Sequence, residues 1–191
     1  MKLDLECTWN EKQKKVKQSI HFDFRPKSIF LMPDEVTARL QQLAHSIGVE
    51  GPRALEELKN SYEQYPKSVY AGYVYHRALI FFELFEEADE LFQELRNRFE
   101  GQLLIKSILA YQFLREKKYA DASAVFDGVE VLKGAFPRRK QFFFEEAFIF
   151  HHFWACYFLE TGDELQSEKH QRLMFLITNT FKSFCASIDS V

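Results

Sequence analysis

Three alanines place the tightest constraint on this chain: Ala54, Ala88 and Ala122 follow one another at a single constant interval. Four residues after each comes a large apolar side chain, Leu58, Phe92 and Phe126, and Phe85 and Tyr119 precede the second and third alanine by three. A small residue at a fixed interval, with a bulky one a helical turn later, is what stacked equivalent helix pairs need, since two backbones must come close at the same place in every unit. Apolar spacing accordingly predicts helices at about 34–47, 52–65, 68–84, 86–98, 102–116, 119–132, 140–160 and 163–185. Gly48, Gly51-Pro52, Pro66, Gly101, Gly134, Pro137 and Gly162 separate them, and Gly72 and Gly128 fall inside two of them. Pro33-Asp34-Glu35 reads as a helix start, with carboxylates at the positive end of the dipole.

The segments Phe85-Glu86-Glu87-Ala88 and Lys118-Tyr119-Ala120-Asp121-Ala122, the phenylalanines four residues after Ala88 and Ala122, and Pro66 twelve after Ala54 together resemble the second helix of a tetratricopeptide repeat. The resemblance covers about residues 35–136, three repeats, with a fourth helix pair at 140–185. It departs from the family pattern at the eighth repeat position, which is Ala110 in the third unit but Gln42 and His76 in the first two, and at Gly51, where an aromatic is usual. Leu159-Glu160-Thr161-Gly162-Asp163 resembles an inter-helix turn placed about eleven residues late.

What the resemblance implies is a mainly α fold, an antiparallel helix-pair solenoid whose first helices line a concave groove that holds a peptide or helix of a partner protein. Its usual contact positions fall on Arg39 in the first unit, on Tyr70, Tyr73, Arg77 and Phe81 in the second, and on Ser107, Tyr111 and Arg115 in the third. Three arginines among tyrosines suit an acidic partner segment with apolar side chains, because arginine pairs bidentately with carboxylates and tyrosine offers area and a hydroxyl.

Residues 1–33 have a different period. Leu3, Leu5, Cys7 and Trp9 alternate with polar residues, as do Ile20, Phe22 and Phe24, and Lys12, Lys14, Lys15 and Lys17 lie between, so a short β-hairpin with a basic tip at 10–17 is predicted. The run Ser28–Pro33 reads as an extended apolar connector. The organisation expected is thus hairpin and connector (1–33), three helix pairs (34–136) and a long C-terminal helix pair (137–191) within one domain. Only seven glycines and five prolines agree with helices rather than a turn-rich β protein.

Charge and cysteine content exclude several functions. The net charge is −3, with +3 on residues 1–33 (seven Lys/Arg against four Asp/Glu) and −6 on the rest, so no domain-wide basic field exists for nucleic acid. Cys7, Cys156 and Cys185 are odd in number and far apart, which fits a reducing compartment. Charged opening residues and the lack of a long apolar run predict a cytoplasmic chain without a membrane span.

Catalytic signatures are missing: no phosphate-cradling loop, nucleophile elbow or dinucleotide fingerprint occurs, and the adjacent pairs Glu86-Glu87 and Glu145-Glu146 read as exposed helix faces. His151, His152 and Cys156 lack further ligands at metal-site spacing and read as core residues, as do His45 and His76 near helix seams. Arg138-Arg139-Lys140 reads as a solvated helix start or loop rather than a nucleic-acid site. The stretch 142–158 carries aromatics all round, which its neighbours must cover. Leu165, Leu173, Leu176, Ile177, Phe181 and Phe184, widened by Met174 and Phe175, form a terminal face to be covered by the hairpin or by a second copy in a homodimer. The function expected is non-catalytic protein binding, as an adaptor or chaperone without cofactor or metal. A structural subunit binding through the 142–158 helix and the C-terminal helix is the alternative, ahead of a helical-bundle enzyme.

Overall fold

The computed structural model describes residues 2–8, 15–22 and 27–188, with side chains at 20–22 and 29–182. The architecture is mainly helical, and it separates into two compact units, 25–106 and 1–24 with 107–191. The division falls within a helix, at 106/107.

Unit 25–106 contains α1 (Lys27–Phe30), α2 (Asp34–Glu50), α3 (Pro52–Gln64), α4 (Val69–Phe81), α5 (Phe85–Arg98) and the start of α6 (Leu103–Arg115). Short connections bring α2, α3, α4 and α5 into successive contact. Local chemistry sets their limits. Pro52 opens α3 at a position where its missing N–H is no loss, and Ser68 caps α4 by accepting from the Ala71 N–H at 3.1 Å. The predicted extended connector is corrected: 27–30 form the helical turn α1, with Ile29 and Phe30 buried and Leu31 at φ 47°. Packing decides it, because the Phe30 ring meets Tyr70 edge-on at 4.9 Å and Ser68 Oγ donates to the Ile29 carbonyl at 3.2 Å.

The predicted 68–84 helix ends at Phe81, since Phe82–Leu84 form a tight turn with Glu83 at φ 60°. There the Phe82, Glu83 and Leu84 N–H groups donate to Ala78, Ile80 and Leu79. The same three bonds recur one alanine interval later, from Glu116, Lys117 (φ 58°) and Lys118 to Gln112, Leu114 and Phe113. The links that enter α4 and α6 repeat as well: Tyr65→Ser61, Ser68→Tyr65 and Gly72→Ser68 match Phe99→Leu95, Gln102→Phe99 and Lys106→Gln102. Side-chain burial follows the same interval, with Ala54, Ala88 and Ala122 at 0% exposure and Leu58, Phe92 and Phe126 at 0–1%.

The other unit holds β1 (Lys2–Thr8), β2 (Lys15–His21), the rest of α6, α7 (Tyr119–Ala124), α8 (Leu132–Ala135), α9 (Phe144–Glu160) and α10 (Glu164–Ile188). The strands pair antiparallel, with Thr8 opposite Lys15 and Glu6 opposite Lys17, so Lys15 and Lys17 belong to the ladder and not to the predicted tip. Trp9, Lys12, Lys14 and Phe24, and the side chains of Cys7, Phe184 and Cys185, lie outside the described residues. β1 lies against α10, and the Phe142 N–H donates to the His21 carbonyl at 2.9 Å beside a Phe22–Phe142 bridge, so the N-terminal strands pack on this unit's own elements.

The predicted 119–132 helix is also shorter, because Asp127 and Gly128 turn left-handed (φ 55° and 66°) and the Gly128 N–H closes on Ser123. Aromatic rings fill the core: Phe126 lies 5.1–6.5 Å from Phe150, Phe153 and Trp154, and Phe144 stacks on Phe181 at 3.8 Å. Among the described residues no helix is long and apolar enough to cross a membrane.

Candidate protein-binding surface

Helix α4 is apolar nearly all round, and Val69, Tyr70, Ala71, Val74, Ala78 and Leu79 are buried. Gly72 makes that packing close: a Cβ there would collide with Leu95 and stand 3.2 Å from the Tyr62 ring. Of the positions at four-residue spacing Tyr73, Arg77 and Phe81, α4 turns Arg77 and Phe81 toward solvent and keeps Tyr73 buried. Tyr73 itself is only 5% exposed, and the Arg77 guanidinium lies 5.7 Å from its ring centroid. Phe81 is 55% exposed, and its ring edge lies 3.3 Å from where a Cβ on Gly48 of α2 would stand, so the glycine seats the ring on α2.

The positions one alanine interval further on, in α6, are Ser107, Tyr111 and Arg115. Ser107 is buried and Arg115 is exposed. Tyr111 is half-buried, its hydroxyl bonded to His152 Nδ1 and its ring edge-on to Phe153 at 5.8 Å. Besides the buried Tyr73 and Ser107, two further expected contact residues stand elsewhere. Tyr70 is fully buried beneath Phe30. Arg39 spans α2 and α3, with Nε and Nη2 each 2.8 Å from a Glu57 oxygen and Nη2 also 2.8 Å from Glu50, so two carboxylates of its own unit already answer its charge.

Several other expectations are corrected. Glu145 and Glu146 are buried, not exposed. Glu146 accepts the Phe143 N–H at 3.0 Å at the start of α9 and both Arg139 nitrogens at 2.8 and 2.6 Å. Arg139 is accordingly no solvated residue: it is clamped to Glu146, with its guanidinium 4.7 Å from the Phe142 ring centroid. His45 is exposed and bonds only within its own helix, while His76 is buried 6.1 Å from the Phe92 ring. His152 is exposed, its ring 3.8–3.9 Å from Cys156 Sγ. Burial, with Glu160 nearby, raises the Cys156 pKa. On α10 Leu173 and Ile177 are buried, but Leu165 and Phe175 remain 44% and 66% exposed.

A polar cluster that no motif in the sequence marks lies buried between Glu130, α9 and α10. His151 Nδ1 and His170 Nδ1 are 3.0 Å apart, His170 Nε2 lies 3.6 Å from Glu130, and Lys169 Nζ is 2.6 Å from the same carboxylate. Burial holds His151 well below its ordinary pKa, with His170 and Lys169 adding to it; His170 is lowered chiefly by burial too. His170 and Lys169 bring Glu130 down to about 2. Among the described residues no group of three or more His, Cys, Asp or Glu side chains is arranged to hold a metal ion.

Comparison with models of protein families, with curated proteins and with solved structures yields no match for this chain.

Proposed function

We propose that the chain is a non-catalytic protein-binding module, an adaptor or chaperone of tetratricopeptide-like helix pairs, that holds a peptide or helix of a partner against the outward residues of a first helix, α4. The observation that carries this reading is the pairing of a repeated scaffold with an unrepeated surface. Turns, links and small-residue crossings recur at the interval of the three alanines. On that constant frame the exposed pair of α4, Arg77 and Phe81, is replaced at the equivalent positions of α6 by half-buried Tyr111 and exposed Arg115. Fixed backbone with variable outward residues is how repeat architectures present binding surfaces. A Phe81 ring seated on Gly48 beside an arginine above a tyrosine has the composition of an interaction hot spot.

The test is site-specific photo-crosslinking in cells, with benzoylphenylalanine at Phe81 and, separately, at Phe175. A discrete adduct from position 81 supports the reading. An adduct from position 175 alone would favour the structural-subunit alternative, which draws on the exposed Phe175 of α10. That alternative gains nothing from most of the aromatic 142–158 stretch, where Phe142, Phe143, Phe150, Phe153 and Trp154 are at most 2% exposed and occupied with their own core.

A further inference from the structure

The turn between α4 and α5 has a surface that the fold does not require. Phe81 and Phe85 flank it at 55% and 49% exposure, and Val49, next to the glycine on which Phe81 rests, is 90% exposed. Glu83 in the turn and Glu86, Glu87, Asp89 and Glu90 in the first turns of α5 are all exposed, and no Lys or Arg occurs between Arg77 and Arg96. The α6–α7 turn serves as an internal control. Its backbone is the same, φ 58° at Lys117 against 60° at Glu83 with matching hydrogen bonds, yet Arg115 and Lys117 stand where Phe81 and Glu83 do. The turn geometry therefore does not itself demand Phe81 or Glu83, although Tyr119 keeps an aromatic at the place of Phe85 and Asp121 a carboxylate at that of Glu87.

From this we infer that the α4–α5 corner is a docking surface for a basic amphipathic segment of another protein, one whose apolar side chains cover Phe81, Phe85 and Val49 while its lysines or arginines meet these carboxylates. The inference goes beyond the first-helix reading, with which it shares only Phe81. Apolar contact supplies the burial, and the carboxylates, which outnumber Arg77 beside Phe81 by five to one, favour a cationic partner over an acidic one and steer its approach.

The experiment uses the full chain and a fluorescein-labelled eighteen-residue helical peptide of leucine and lysine, with a leucine–glutamate peptide as comparison, followed by anisotropy at low and at about 0.5 M salt. The expected result is saturable binding of the lysine peptide alone, weakened about tenfold or more by Glu86→Lys/Glu87→Lys/Glu90→Lys and about tenfold by Phe85→Ser/Val49→Ser, and reduced by salt. Glu56→Lys/Glu63→Lys/Glu100→Lys, an equal charge change at exposed sites off the corner, is expected to leave most of the affinity. All these positions are exposed or at turns, and unchanged melting confirms that each variant is folded. Equal loss from both charge reversals, or no effect of Phe85→Ser/Val49→Ser, overturns the proposal, since the peptide would then be reading overall charge. Sedimentation showing a dimer that Phe85→Ser abolishes also overturns it, by making a second copy the occupant. Loss of crosslinking at Phe81 with peptide binding intact would instead count against the first-helix reading alone.

Discussion

His151 Nδ1 on α9 and His170 Nδ1 on α10 face each other at 3.0 Å inside the unit, so they can share one proton but not hold two. Both rings are depressed in pKa and therefore neutral in the fold at pH 7, whereas in the unfolded chain they titrate near 6.5. Below that value the unfolded state binds more protons than the folded one, and stability falls with falling pH. Between pH 7.5 and 5.5 the chain is expected to lose stability, with about 1.4 kcal/mol the upper bound for a ring that stays neutral throughout. Glu130, lowered to about 2, adds its own loss only below the ordinary carboxylate pKa of 4.5. Urea unfolding across this range checks the slope, and His151→Leu should flatten it; a wild-type profile level from 7.5 to 5.5 would contradict the pairing.

Two helical glycines should answer alanine with opposite signs. Alanine favours a helix over glycine by about 1 kcal/mol. At Gly48 the methyl meets only the movable edge of the exposed Phe81 ring, and Gly48→Ala is expected to stabilise by about 0.5–1 kcal/mol. At Gly72 it meets Leu95 and Tyr62 in the core, and Gly72→Ala is expected to destabilise by about 1–3 kcal/mol. Chemical unfolding of the two variants decides it, and a stabilised Gly72→Ala would deny the close approach of α4 to its neighbours.

The two left-handed turns provide a test of equivalence. Glu83 and Lys117 adopt a conformation that costs a side-chain-bearing residue about 1 kcal/mol, which glycine avoids. Glu83→Gly and Lys117→Gly are each expected to stabilise by about 0.5–1 kcal/mol and to agree within about 0.5 kcal/mol. A gain at one and a loss at the other in thermal or urea unfolding would show that the turns differ.

These positions also show how far the chain could be read beforehand. The alanine interval was visible because small residues at a close crossing are dictated by contact, and all three proved fully buried. The turns at Glu83 and Lys117 were hidden because neither uses the glycine that normally marks a left-handed residue, so Phe82–Leu84 looked like more of the preceding helix. Gly72 looked like a flaw in a helix, whereas its missing side chain is what admits Leu95. Burial of Glu146 could not be seen from an adjacent acidic pair, because its cause is Arg139, seven residues away and brought round by the chain between α8 and α9. Of the outward line, Arg77, Phe81 and Arg115 were legible from helical spacing, but burial of Tyr70 depended on α1, which follows from contacts of Ile29 and Phe30 with α4 and not from local propensity.

The Arg139–Glu146 clamp should respond asymmetrically. Glu146→Gln removes one charge and leaves Arg139, which is 28% exposed, able to reach water; the expected cost is about 1–2 kcal/mol. Arg139→Ala strands a carboxylate that is 1% exposed, and the expected cost is about 3 kcal/mol or more. Denaturant midpoints in the reverse order would show that Glu146 does not depend on Arg139.

The most direct test of the account is quantitative co-purification from lysate of the source cells, comparing the wild-type chain with Arg77→Glu/Phe81→Ser, two exposed substitutions on the outward line of α4. The account predicts that at least one protein recovered with the wild type falls about tenfold or more with the variant while melting stays the same. Equal recovery of every co-purifying protein with a correctly folded variant would contradict it.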